Sequence, residues 1–324
     1  MTHPPAPDHE RRDLVAVTGA AGFVGRSVVA SLARSGWTVR AVARSGVQIQ
    51  GAHEIMSVGD LLSADLERTV EGCQAVVNCA ARVHVLGKED PSSAEEAYDR
   101  MNRRLPVDLA NAAKDAGVRK FVQLSSVAAI AAPEARATTG SGRHDSHVPA
   151  TAYGRSKLNA DRELEALSDP GFEVVSLRPP AVFGPGVGAF TGRLLRAARI
   201  GMPLPLGRIG NSRSFIYVEN LAAAVEAALA QGVSGTYVVT DSPPVSTGHL
   251  YRTLLRLHGW KDRVWSWPEP AVEALAQFAL GERAGSLLGD AAFDGSRFRE
   301  VTGWRPQISF DEAWARTVAE GRRK

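Results

Sequence analysis

A chain of 324 residues with 44% hydrophobic and 23% charged side chains is long enough to bury a substantial core, which excludes collagen, coiled coil and wholesale disorder. Lys and Arg total 38 against 35 Asp and Glu, a formal charge of +3, and no concentrated basic patch that would grip nucleic acid stands out. The two cysteines, Cys73 and Cys79, cannot build a disulfide framework and lack a zinc-binding spacing, so the expected compartment is the reducing cytoplasm.

Residues 1–12 are rich in Pro and charge, lack the apolar stretch of a signal peptide and read as a flexible leader. No run reaches the roughly 18 apolar residues of a membrane span. The Ala-rich Leu221 to Ala230 carries Glu226 and reads as a buried helix. From residue 13, short apolar runs at Leu14 to Thr18, Thr38 to Ala43, Ala75 to Asn78, Lys120 to Leu124 and Glu173 to Leu177 alternate with helical stretches. The latter are Gly25 to Ser35, Leu62 to Glu71, Ala94 to Ala116 and Thr151 to Leu167. This rhythm predicts an α/β fold, a Rossmann-type doubly wound parallel sheet over 13–178. Beyond it Gly and Pro thicken, as in Arg178 to Gly188 and Gly201 to Gly210. Residues 179–324 are expected to form mainly a smaller, interleaved substrate-binding lobe, with a strand near 236–240 returning to the sheet.

The first strand runs into Thr18-Gly19-Ala20-Ala21-Gly22-Phe23-Val24-Gly25. Gly19, Gly22 and Gly25 fall at G-x-x-G-x-x-G, a relative of the dinucleotide fingerprint that combines a tight turn, close approach to a pyrophosphate and helix-on-strand packing. Phe23 and Val24 complete the cradle just ahead of the helix from Gly25, whose N-terminus faces the phosphates. Where an NAD site usually has an acid to hold the adenosine ribose, this chain has Arg44. A guanidinium suits a 2′-phosphate, so NADP is the favoured cofactor and NAD the alternative; the other reading of Arg44 is a solvated surface charge. Asp60, with Leu61 after it, either reaches an adenine amino group or caps a helix. The small Ala80 and Ala81 after the third predicted strand would let a flat cofactor lie against the backbone, though simple close packing would use them as well.

Tyr153 and Lys157 stand at i, i+4 on one predicted helix face. Lowering a phenol from its reference pKa near 10 to roughly 7 takes about 4 kcal/mol, which an ammonium and a cationic nicotinamide could supply together. Such a phenol is an efficient proton carrier. Ser126, at the carboxyl end of the fourth predicted strand, can hold an alcohol or carbonyl beside it.

The glycine cradle, Asn78-Cys79-Ala80-Ala81, Ser125-Ser126, Tyr153-Gly154-Arg155-Ser156-Lys157 and Leu177 to Pro185 together resemble the extended short-chain dehydrogenase/reductases, the NAD-dependent epimerase/dehydratase family, over roughly residues 13–315. The resemblance implies Ser126 as the substrate-orienting hydroxyl, Tyr153 as proton carrier and Lys157 as its electrostatic partner. It also implies Asn102 as a brace for the proton relay and Pro180 beside the nicotinamide carboxamide. Within the family, Arg82 to Val85, Gly201 to Gly207 and Asn211 to Asn220 are similar to nucleotide-sugar 4-epimerases and 4-ketoreductases of polysaccharide biosynthesis. On that likeness Arg213 binds a substrate diphosphate and Leu206 lies in the segment beside the base. Arg283 and Arg297 are either phosphate contacts or solvated charges, and His84 either lines the sugar pocket or packs against a helix.

A sugar 4,6-dehydratase would carry Asp-Glu where Val127 and Ala128 stand, so that branch is disfavoured. The 4-ketoreductase is preferred on the strength of Arg44, with a UDP-glucose-type 4-epimerase as the alternative. Ala181 and the Phe190-Thr191 pair depart from asparagines common in the epimerases. A reductase of a non-sugar ketone and a noncatalytic NADP sensor are more remote, since sensors lose the Tyr-Lys pair and a lipid-like ketone has no use for Arg213. No metal is expected, even at His144-Asp145-Ser146-His147, because the family's chemistry needs none. A homodimer through the Ala94 to Ala116 and Tyr153 helices is the form common in the family.

Overall fold

The computed structural model describes residues 13–83, 90–130, 149–230 and 232–321; the predicted leader, His84 and the His144 to His147 cluster lie outside them. Among the described residues, β1 (Leu14–Thr18), β2 (Thr38–Ala43), β3 (Glu54–Ser57), β4 (Ala75–Asn78), β5 (Lys120–Leu124) and β6 (Glu173–Arg178) belong to one parallel sheet, and β7 (Ala181–Phe183) and β8 (Phe215–Tyr217) form a small second one. The seventh strand of the main sheet is β9 (Gly235–Val238), beside β6. The main order is β3-β2-β1-β4-β5-β6-β9, so the direction of winding reverses between β1 and β4 and a crevice opens at the strands' carboxyl ends. The doubly wound α/β expectation holds.

Twelve helices follow in chain order: α1 (Phe23–Arg34), α2 (Leu66–Val70), α3 (Pro91–Asp99), α4 (Leu105–Asp115), α5 (Ala152–Leu167), α6 (Ala189–Arg199), α7 (Val218–Ala228), α8 (Thr247–Leu257), α9 (Glu269–Leu280), α10 (Gly285–Leu288), α11 (Ser296–Thr302) and α12 (Phe310–Gly321), counted among the described residues. Side chains alternate across a strand, so Val15 and Val17 pack under α1 and α7 while Ala16 joins Leu109, Phe121 and Leu164 on the α4 and α5 side. Both faces are covered, and this is why β1, β4 and β5 read as near-continuous apolar runs. A further core lies around Phe183, Phe215, Tyr217, Leu250, Tyr251 and Trp314, where β7 and β8 meet α6, α8 and α12. Among the described residues no helix is long and apolar enough to cross a membrane.

Two predicted helices are broken. The stretch Leu62 to Glu71 divides into a 3₁₀ turn, Leu61–Ser63, and α2, because the Asp65 carboxylate accepts from the Arg68 N–H and starts a new helix. The stretch Ala94 to Ala116 divides into α3, a π-helical turn at Arg100–Arg104, and α4. Pro106 offers no N–H and its ring crowds the carbonyl of Asn102, so the turn before it widens and the Leu105 N–H reaches back to Arg100 O.

Trp314 is fully buried and stacks on Phe183 with ring centroids 4.0 Å apart and an 11° interplanar angle. Trp314→Ala is expected to lower the unfolding free energy by about 3–5 kcal/mol, read from denaturant titration.

Candidate active site

At the carboxyl ends of β1, β2 and β4 lies a cleft of about 430 Å³ lined by Gly19, Gly22, Arg44, Asp60, Leu61, Cys79, Ala80, Ala81 and Met101, among others. Gly19 has φ of 65°, and a Cβ there would sit 2.7 Å from the Ala80 nitrogen. A Cβ on Gly25 would drive into the Gly19 carbonyl, so neither position accepts a side chain. Helix α1 opens at Gly22 with no side-chain cap and no acid in its first turn, leaving N–H groups for an anion. Phe23 and Val24 turn into the cores behind it. This cradle fits a dinucleotide pyrophosphate. Arg44 stands exposed on the cleft wall with no ion pair among the described residues. Asp60 lines the cleft too, but its carboxylate caps the following 3₁₀ turn through the Leu62 N–H at 3.1 Å; helix capping is therefore the role the structure displays.

The wall of the cleft is held by buried polar groups. Thr18 Oγ1 donates to Asn78 Oδ1, which also accepts from the Ala80 N–H at 3.1 Å, while Asn78 Nδ2 donates to Gln123 Oε1 at 2.8 Å. Asn102, fully buried in the π-helical turn, accepts from the Arg82 N–H at 2.8 Å and donates to the Arg82 carbonyl at 2.9 Å and to Ser156 Oγ at 3.3 Å. It braces the chain beyond β4 against α5.

Tyr153 lies in the first turn of α5, which Thr151 caps by accepting from the Gly154 N–H at 3.0 Å. A Cβ on Gly154 would collide with the Ala128 carbonyl. Glycine there lets α5 press on the turn that Ser126 caps, and the Tyr153 hydroxyl is hydrogen-bonded to Ser126. The Tyr98 ring meets Tyr153 edge-on at 5.9 Å, with the Arg82 guanidinium 5.7 Å from the Tyr98 centroid. Burial pushes the Tyr153 phenol above its ordinary value, outweighing the Ser126 hydrogen bond that lowers it. The expected downward tuning is thus not supplied by the chain itself, because desolvation disfavours the phenolate.

Lys157, 1% exposed, donates to the Leu124 carbonyl at 2.9 Å. Burial pulls its pKa down to about 8, against the opposing charge of Asp161. Cys79 in turn is pushed up to about 12 by burial, so its thiol stays protonated. Asp161, absent from the residues expected at the site, stands four residues after Lys157 on the same helix face, a signal the sequence carries. Arg178 is likewise absent from them, and its Nε donates to Asp161 Oδ2 at 2.8 Å.

The remaining predicted residues scatter. Arg213 is joined to Val245 by paired main-chain hydrogen bonds, and its Nη1 donates to the Gly289 carbonyl at 2.6 Å. Its neighbour Ser214 bonds the Ala291 carbonyl, and Ala291 and Phe293 pack on Val127 and Ile130, beside the Ser126 turn. Leu206 is 2% exposed in the second core; its side chain packs there and leaves only its backbone to meet a ligand. Pro180 is buried between β6 and β7, next to Pro179, whose carbonyl accepts from the Val127 N–H at 3.1 Å. Arg283 sits in the 3₁₀ turn Gly281–Ala284 with its side chain outside those described. Arg297 is exposed and pairs with Glu300 at 3.7 Å.

Residues 15–240 match the NAD dependent epimerase/dehydratase family. The chain belongs to that family. This epimerase/dehydratase-family protein is accordingly an NAD(P)-dependent extended short-chain dehydrogenase/reductase enzyme. It is 32% identical to a UDP-glucose 4-epimerase of Vibrio cholerae over 96% of both chains. It is 28% identical to a ceramide reductase of Caulobacter vibrioides over 92% of this chain and 87% of that one. Among solved structures it resembles MoeE5 in complex with UDP-glucuronic acid and NAD, with TM-score 0.75, 25% identity and coverage of 95% of this chain and 99% of that one.

A buried ammonium with a depressed pKa is a stability cost that this family member carries at its site. The cost is full below about pH 8 and fades toward 10.5, the value for an unburied lysine. Lys157→Met removes it at the loss of one hydrogen bond to the Leu124 carbonyl, which still accepts from Gln123 Nε2 at 3.1 Å. The net expectation is a gain of about 2 kcal/mol at neutral pH that shrinks as pH rises toward 10.5, measured by denaturant unfolding across pH.

Proposed function

We propose that this enzyme transfers a hydride at C4 of a nucleotide sugar, acting as a 4-ketoreductase with NADPH. The observation that carries the reading is Tyr153 hydrogen-bonded to Ser126, on the same helix face as the buried Lys157. Cys79 lines the cofactor cleft and also feels the Lys157 charge, so cleft and proton carrier adjoin. A reduced nicotinamide bound in the cleft would supply the hydride. Ser126 holds the C4 oxygen, and Tyr153 delivers its hydroxyl proton to that oxygen as it gains negative charge. A phenol pushed upward by burial remains protonated at neutral pH, as a donor must. The Lys157 ammonium stabilises the phenolate left behind, in surroundings dry enough for the attraction to count. Asn102 keeps Arg82 and α5 in register.

The substrate is assigned to the side built from residues 179–324, with the half-buried Arg213 facing its diphosphate. The Gly289 carbonyl and Asp290 hold that guanidinium in place, and a buried cation suits a nucleotide sugar better than a lipid-like ketone. Arg44 on the cleft wall supports NADPH and hence the reductase. The 32% likeness to a UDP-glucose 4-epimerase supports a second reading, in which the same residues return the hydride to C4 from the other face.

Wild type and Tyr153→Phe are to be assayed with a UDP-4-keto sugar plus NADPH and with UDP-galactose. Wild type should oxidise NADPH, and the variant should lose about 10²–10⁴-fold in rate. Conversion of UDP-galactose without added cofactor would select the epimerase, and no turnover of either substrate would overturn the sugar assignment. Arg44→Ala is expected to weaken NADPH binding by about tenfold or more, the loss of a charge-assisted bond, while sparing NADH; equal losses in calorimetry would remove the NADPH preference.

A further inference from the structure

Asp161 is 1% exposed and sits one helical turn beyond Lys157 on α5. Its Oδ2 accepts from Ser125 Oγ at 2.8 Å and from Arg178 Nε at 2.8 Å, while its buried Oδ1 has no hydrogen-bond partner. Leu124 and Ser125 are consecutive at the end of β5, so Lys157 grips the first through its carbonyl and Asp161 grips the second through its hydroxyl. The same carboxylate reaches the end of β6 through Arg178, and the Ser125 N–H bonds the Leu177 carbonyl at 2.8 Å. One buried charge therefore joins α5, β5 and β6 directly behind the Ser126 turn.

We propose that Asp161 is the positioning residue of this centre, holding the ends of β5 and β6 through Ser125 and Arg178 so that the Leu124 carbonyl meets Lys157, and placing a buried negative charge one helical turn from its ammonium. A buried carboxylate with an unsatisfied oxygen is a costly feature for packing alone. It is a sensible one where a buried cation must be retained, since residues at i, i+4 lie within interaction range. The groups facing Lys157 are Asp161 on its own helix and Cys79 from the end of β4. Tyr153, one turn back on α5, feels Tyr98 from α3 and Asp161, and Arg178 from β6 faces Asp161. Cys79 stays neutral, being pushed up to about 12. Among the described residues, Asp161 is thus the charge that opposes the desolvation drawing Lys157 down to about 8. Arg178 shares that carboxylate and dilutes its effect on Lys157.

This role rests on the reading of Tyr153 and Lys157 as the reaction centre, but its test needs no substrate. Lys157 is one of six lysines, and its titration can be followed in the intact protein by NMR of 13Cε-labelled lysine, assigned with Lys157→Met. Asp161→Asn should lower the Lys157 midpoint by about one pH unit, a tenfold change in the proton equilibrium. Arg178→Gln should raise it, and Ser125→Ala, which removes a hydrogen bond but no charge, should leave it in place. In whichever of the two assays above turns over, the alkaline limb of kcat/KM should move in the same directions. A purely structural carboxylate would lower Tm without moving the midpoint, and an unmoved Asp161→Asn midpoint overturns the proposal. If Asp161→Asn does not fold, Arg178→Gln decides alone: a midpoint unchanged or lowered overturns it equally. Retained turnover in Tyr153→Phe would instead overturn the reaction-centre reading, whatever the lysine titration shows.

Discussion

The first turn of α5 lies so close to the 3₁₀ turn after β5 that one added Cβ would force them apart. Gly154 admits the Ala128 carbonyl at that contact, and every part of the centre follows from it. Tyr153 comes within hydrogen-bonding reach of Ser126, Lys157 reaches the Leu124 carbonyl, and Asp161 reaches Ser125. The close approach also dries the site, which raises the Tyr153 phenol and depresses the Lys157 ammonium together.

The sheet supplies the second half of the arrangement. Because winding reverses between β1 and β4, the loops after those strands diverge and leave room for a ligand. The turn after β4 must then serve two neighbours, the cleft on one side and Lys157 on the other. It is held by Asn78, whose amide is satisfied by Thr18, Gln123 and the Ala80 N–H within the sheet. Losing one partner in such a buried set strands another at a cost of about 1–3 kcal/mol, so the turn is rigid for reasons internal to the fold.

Legibility in the sequence followed burial. Four strands, β1, β2, β4 and β5, begin and end at the residues where their apolar runs do, since burial on both faces keeps most positions apolar and the polar exceptions, such as Asn78 and Gln123, are hydrogen-bonded to each other. Edge strand β3 carries Glu54 and Ser57 on exposed positions, and β7 and β8 are three residues each, too short for any period to register. The single helix expected over Ala94 to Ala116 ignored Pro106, and the π-helical turn that results is what presents Asn102 to Arg82 and Ser156. Asp60 and Leu206 show the limit in another form: a carboxylate can cap or recognise, and a leucine can line a pocket or pack a core, with identical local sequence.

By itself the sequence determined the doubly wound sheet, the glycine cradle and the Tyr153, Lys157 and Ser126 set, because periodicity, glycine spacing and helix phase are local and survive in one dimension. Only the tertiary structure decided that Lys157 is buried, that its charge is opposed by Asp161 while Arg178 competes for the same carboxylate, and that Tyr153 is held on the protonated side. Those are properties of desolvation and of charges brought together from α5, β4, β5 and β6. Dielectric surroundings depend on what packs around a group from every direction, and the order of residues along the chain does not contain that.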